Sequence, residues 1–155
     1  MEYKNHFLNL LNYDFWANSN VMEELSLNNI SGGKAIQLFS HILNSEIIWL
    51  KRIKNEKDFP DPMLIRSFDE CGKLLTEINK SWIEFVSISD EDIFNLKITY
   101  INNKGVEWRS EISEILIHMI NHSTYHRAQI ASFFRIENIK PPYTDYIGFS
   151  RLKEI

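Results

Sequence analysis

Three of the five histidines, His118, His122 and His126, stand four residues apart. A step of four residues carries a helix ~40° past a full turn, so neighbours in such a series share a face. Two imidazoles one turn apart can bind the same metal ion. The plainer alternative is a pair of core histidines satisfied by hydrogen bonds. Burying several polar rings is unfavourable unless each finds a partner, and one metal ion would satisfy all of them. The zincin pattern H-E-x-x-H is excluded, because Ser123 stands where its glutamate would be. No carboxylate on the same helix replaces that base.

The apolar residues around the series are Ile112, Ile115, Met119, Ile130 and Phe133. On a wheel centred on them, His126 lies within ~15° of the seam, His122 ~50° away and His118 ~90° away. His122 and His126 therefore point inward and His118 sits at the edge. His41 lies beside Leu38 and Ile42 on an inward stripe of another helix. It can complete a three-histidine face with His122 and His126. Three neutral nitrogen ligands leave a position open for water or substrate, the mark of a catalytic site. Imidazole suits zinc, nickel, copper and iron alike.

Four helical segments must position these residues, over about 3–27, 34–55, 67–87 and 110–137, each end good to ±2–4 residues. The first carries a seam of Leu8, Leu11, Phe15, Met22 and Leu25, with Asn18 at a position that expects an apolar residue. Asn18 is expected to be buried and hydrogen-bonded, to backbone or to a free histidine N–H. The second has two stripes, Leu38, Ile42 and Trp49, and Phe39, Leu43, Leu50 and Ile53. Its face is wide enough to bury against two neighbours. Ser67 and Glu70 form a capping box before the 3-4 repeat Phe68, Cys71, Leu75, Ile78, Trp82 and Phe85. Ser110 is placed to cap the fourth, with Glu111 and Glu114 near its positive end. Between the third and fourth, residues 94–108 alternate apolar and polar around Asn102-Asn103-Lys104-Gly105, which predicts a β-hairpin. The aromatic tail from Tyr143 to Phe149 is expected to fold back on the bundle.

Other candidates read more simply as structure. Cys71 lies on the seam of the third helix and reads as a buried, inert thiol. His6 reads as an exposed terminal residue. Arg127 could anchor an anion or a carboxylate, with an interhelical role at least as favoured, and Gln129 flanks the pair. Trp49, Trp82 and Trp108 read first as packing.

The chain of 155 residues is expected to form one domain, 1–155. Hydrophobic residues are 44%, charged residues 25% and the net charge is −4, globular values without the basic excess of a nucleic-acid binder. One cysteine permits no internal disulfide, which fits a reducing compartment. Neither a signal peptide nor a stretch of ~18 apolar residues is evident. A cytoplasmic protein with no membrane or nucleic-acid partner is expected.

Asn121-His122-Ser123-Thr124-Tyr125-His126-Arg127-Ala128-Gln129 resembles the N-H-x-x-x-H-R-G-Q signature of the DinB-like family. Tyr13-Asp14-Phe15-Trp16-Ala17-Asn18, Ser40-His41-Ile42 and Thr144-Asp145-Tyr146 resemble its Y-x-x-W-A-N, H-I and T-D-Y motifs, in order. Ala128 replaces the usual glycine, a change of little consequence inside a helix. The resemblance implies an all-α, up-down-down-up four-helix bundle with a hairpin before helix four. It also implies a divalent metal, zinc or nickel first and iron or copper next, on His41, His122 and His126. The activities it implies are S-transfer from low-molecular-weight thiols such as bacillithiol, mycothiol or glutathione, maleylpyruvate isomerisation, and hydrolysis by metal-bound hydroxide. A non-catalytic, stress-associated binding module and a homodimer also fall within it. The expected partner is a small-molecule substrate.

Overall fold

A computed structural model describes residues 2–102 and 104–152. Its elements are α1 (Glu2–Leu27), α2 (Gly33–Ile53), α3 (Phe68–Ile88), a 3-10 turn (Glu91–Asn95), β1 (Lys97–Ile101), β2 (Glu107–Glu111), α4 (Ile112–Ile136) and α5 (Tyr146–Arg151). The four long helices follow the periodicity.

α1, α2 and α4 stop in the same way. Asn29, Asn55 and Asn138 each adopt the left-handed conformation, φ 55°, 57° and 56°. The next N–H then reaches back to the helix: Ile30 to Leu25 O at 2.8 Å, Glu56 to Lys51 O at 2.9 Å and Ile139 to Phe134 O at 2.8 Å. This is the Schellman termination with asparagine in the usual place of glycine. At the other end of α3, the Ser67 capping box forms as expected, with Glu70 accepting from Ser67 N at 2.7 Å.

The chain runs up-down-down-up. Tyr3 N donates to Glu91 Oε1, and Lys4 Nζ to Ser87 O, so α1 begins where α3 ends. The segment 54–67 returns along α2: Arg66 N donates to the Ser40 hydroxyl at 3.0 Å and Arg66 Nε to Asn44 Oδ1 at 2.7 Å. α3 therefore starts beside the first half of α2 and lies parallel to it. α4 runs back antiparallel to α2, with His126 beside His41 and His118 beside Trp49.

The hairpin lies three residues later than the alternation implied, over 97–111 rather than 94–108. Phe94 is buried in the 3-10 turn, and strand pairing runs from Lys97↔Glu111 to Ile101↔Glu107. The Asn102 carboxamide accepts from Lys104 N at 2.9 Å and Val106 N at 3.0 Å, and Gly105 has φ +74°. Asn103 of the expected turn lies outside the described residues. Ser110 does not cap α4. It is held in β2 opposite Ile98, its hydroxyl 3.2 Å from Tyr100 Oη. The helix starts two residues on, at Ile112, and Glu111 takes the cap position, its N–H donating to Glu114 Oε2 at 2.9 Å. The tail folds on α1 through Tyr13 Oη to Thr144 O and Asn20 Nδ2 to Tyr143 O.

The core contains a polar lock. The buried seam of α1 is Phe7, Leu11, Asp14, Asn18, Val21 and Leu25, so Phe15 and Met22 are only half-buried. Asn18 is fully buried as expected, but its partners are side chains. It donates to Asp14 Oδ2 at 2.9 Å and Glu46 Oε1 at 3.4 Å, and accepts from Arg127 Nη1 at 2.9 Å. Arg127 also pairs with Asp14 and donates to the Thr124 hydroxyl at 2.9 Å, and the Ser123 hydroxyl donates to Glu46 at 3.2 Å. Three helices are joined this way, while α3 contributes apolar residues and Cys71.

Burial pushes the Glu46 carboxyl well above its ordinary range, and the nearby Asp14 charge adds to this. Arg127 and the Ser123 hydroxyl pull the other way. Burial would lower the Arg127 guanidinium, but Asp14 holds it above its ordinary value. Burial thus favours the protonated form of Glu46, beside the ion pair of Asp14 with Arg127.

Two outcomes follow. Arg127→Leu strands the buried Asp14 carboxylate and is expected to lower unfolding stability by about 3–5 kcal/mol, read by urea denaturation. The folded state holds a proton on Glu46 that the unfolded chain releases above its value of 4.5. That contribution is full below 4.5 and declines as pH rises through the folded value. Glu46→Gln keeps the shape without the titration, so its stability relative to the parent should increase from pH ~5 to ~8. A difference that does not change with pH refutes the protonated Glu46.

Candidate metal centre

A helix turns about 100° per residue. Ser123 and Arg127 occupy the centre of α4's buried face, with Leu116, Ile130 and Phe134. His122 and His126 are therefore turned aside toward α2 and are half-buried rather than central. The wheel drawn from the sequence is centred ~45° away, because it takes Phe133 as inward where Phe134 is. The histidines nevertheless meet His41. Ring centroids are 5.0 Å apart for His41–His122, 4.8 Å for His41–His126 and 4.5 Å for His122–His126. One nitrogen from each lies within 4.8 Å of the others.

Neighbouring acceptors set two of the rings. His41 Nδ1 is 2.9 Å from Pro62 O, and His126 Nδ1 is 2.8 Å from Gln129 Oε1. Each contact places the hydrogen on Nδ1 and leaves the Nε2 lone pair free. His126 Nε2 and His122 Nε2 face each other at 3.2 Å. Outer partners of this kind fix tautomer and orientation in metal-binding histidines.

Electrostatics favour the neutral forms of His122 and His126. His122 is pushed down to about 4, first by burial and then by His126, His41 and His118. Burial also lowers His126, against the raising effect of the Gln129 contact, and burial lowers His118. Neutral imidazoles with converging lone pairs are the donor set a divalent ion requires. The three residues could hold a metal ion.

His118 is exposed and stacks between Trp49 and His122, with ring centroids at 5.5 and 5.7 Å. The triad opens instead to a cleft of about 480 Å³ that His41 and His126 line with Leu38, Met63, Ile65 and Lys34. Cys71 is buried, 3.6 Å from the Ser40 hydroxyl, and burial raises its thiol above the ordinary value. Trp82 is core, Trp49 half-buried and Trp108 exposed at 55%. His6 is exposed. Among the described residues, no helix is long and apolar enough to cross a membrane.

Asp14 and Glu46 were not picked out from the sequence, although their spacing signals both. Asp14 follows Leu11 and precedes Asn18 at 3-4 intervals, and Glu46 stands between Leu43 and Leu50 on an inward stripe. The role of Pro62 carries no local signal, since its carbonyl reaches His41 only after the crossover doubles back.

An up-down-down-up bundle with a three-histidine cluster, two of whose rings line a cleft at one edge, defines a class of helical protein with a potential metal centre. The chain belongs to the DinB family, whose model matches residues 5–155. It is similar to "Protein DinB" of Bacillus subtilis (strain 168), with 23% identity over 156 residues, 88% of this chain and 89% of that protein.

The neutral state of His122 can be measured by NMR of its imidazole in metal-free protein. Its folded value lies below the ordinary 6.5, so protonation favours the unfolded chain. Stability from this group is lost as pH falls below about 6.5. The ring is expected to stay neutral at pH ~5.5. A midpoint above ~6 would remove the desolvated environment argued for it.

Proposed function

We propose that His41, His122 and His126 hold a divalent metal ion and that the protein is a metalloenzyme using a low-molecular-weight thiol. The observation that carries this reading is the fixing of His41 by Pro62 O and of His126 by Gln129, which frees their Nε2 atoms beside His122. Three imidazoles accept zinc, nickel, iron or copper, and the family resemblance puts zinc or nickel first. A bound divalent ion would lower the pKa of a coordinated thiol and supply a thiolate nucleophile.

The chain supports this reading through what it lacks as well. Its one cysteine, Cys71, is buried on α3 and turned toward Ser40, so the protein offers no accessible thiol of its own. A cosubstrate must bring one. The cleft beside His41 and His126 gives a small molecule access to the ligand nitrogens. Arg127, spent on Asp14 and Asn18, plays no part in holding substrate. The buried, unpaired cysteine also fits a cytoplasmic setting.

Elemental analysis of untagged protein is expected to give one metal per chain. His41→Ala, His122→Ala and His126→Ala should each lose it, while His118→Ala retains it. Gln129→Ala should weaken affinity about 10- to 100-fold. Turnover of an electrophile should then require both metal and added thiol. Thiol-independent hydrolysis would replace the transferase reading, and absent metal in the parent protein would remove the metal centre.

A further inference from the structure

The crossover 54–67 places three large apolar side chains in succession at the surface: Met63 is 69% exposed, Leu64 45% and Ile65 58%. Such a run is unfavourable unless something uses it. The segment is also firmly tied. Pro62 O contacts His41 Nδ1, Leu64 O accepts from Asn44 Nδ2 at 2.7 Å, and Met63 N donates to Asp61 Oδ1 at 2.8 Å. On the far side, Arg66 is bound to Ser40 and Asn44. The backbone of Pro62, Leu64 and Arg66 is thus tied to α2, and Met63 and Ile65 are left as one wall of the cleft that His41 and His126 line.

The opposite rim has a different chemistry. Lys34 and Gln37 stand on the first turns of α2, and among the described residues no acidic side chain lines the cleft. Lys34 makes no ion pair among the described residues, and it acts on His126 through its charge. The volume of about 480 Å³ is that of a small-molecule site.

From the tied apolar wall and the lone cation opposite, we propose that this cleft binds a small amphiphilic anion. Its apolar body lies on Met63 and Ile65, its acid group meets Lys34, and its reacting end reaches the histidines. As a substrate class this rests on the metal-centre reading above; as a binding site it does not.

The test uses the full chain and a matched pair of probes, anilinonaphthalene sulfonate and the uncharged phenylnaphthylamine. Their fluorescence is titrated on metal-free and on zinc-loaded protein. Lys34→Glu is expected to weaken the sulfonate about fivefold and leave the neutral probe unchanged. Met63→Ser with Ile65→Ser should weaken both probes about tenfold or more. All three positions are exposed, so the variants keep the core. Equal response of both probes to Lys34→Glu, or indifference of both to the loss of the apolar wall, overturns the proposal. Metal content is measured on the same preparations. The expected probe pattern without metal sinks the metal reading and leaves the cleft standing; full metal content without the pattern does the reverse.

Discussion

The burial of Arg127 is the constraint from which the rest follows. A guanidinium at 2% exposure must find charge and acceptors inside the protein, and it finds them on α1, in Asp14, Asn18 and Tyr13. This fixes the rotation of α4 about its own axis. With Arg127 and Ser123 inward, the preceding residues, His126 and His122, face α2 at the bundle's edge. A rotation that buried them would have pulled the guanidinium out of its partners. The lock thus sets the phase of the helix that carries two of the three histidines, and Glu46, bonded to Ser123, ties α2 into the same arrangement.

Placement at the edge is what makes the histidines usable. Fully buried rings would be held by core hydrogen bonds and closed to any ligand. Fully exposed rings would be charged in mild acid and free to rotate. Half-buried, His122 and His126 are kept from protonation by burial, Pro62 O and Gln129 hold the outer nitrogens of His41 and His126, and those two rings border a cleft. The crossover does double service here, making α3 parallel to α2 and delivering the carbonyl that orients His41.

Much of this was legible in the sequence because the signals are local. The 3-4 repeats mark four helices, Ser67 and Glu70 mark the start of α3, and the i,i+4 histidines mark the site. The errors have physical causes too. A wheel weighted by apolar residues cannot register a seam occupied by Asp14, Asn18, Glu46, Ser123 and Arg127, because these residues satisfy one another only across helices. Ser110 looked like a cap because nothing in its neighbours tells that Tyr100 will hold it in a strand. The asparagine terminations carry a weaker signal because glycine is the expected residue there.

The order in which the chain is made adds a temporal meaning to the lock. Asp14 meets Arg127 across 113 residues, and Glu46 meets Ser123 across 77. On a ribosome the first three helices therefore emerge with two acids on their inner faces and no countercharge. Their apolar faces cannot close without stranding the Asp14 carboxylate and leaving Glu46 without its Ser123 partner, which disfavours premature collapse. The last long helix brings the arginine and two of the three histidines together. Completion of the fold and the first moment at which an ion can be captured thus coincide, so an unfinished chain has no assembled site with which to withdraw metal from the cell.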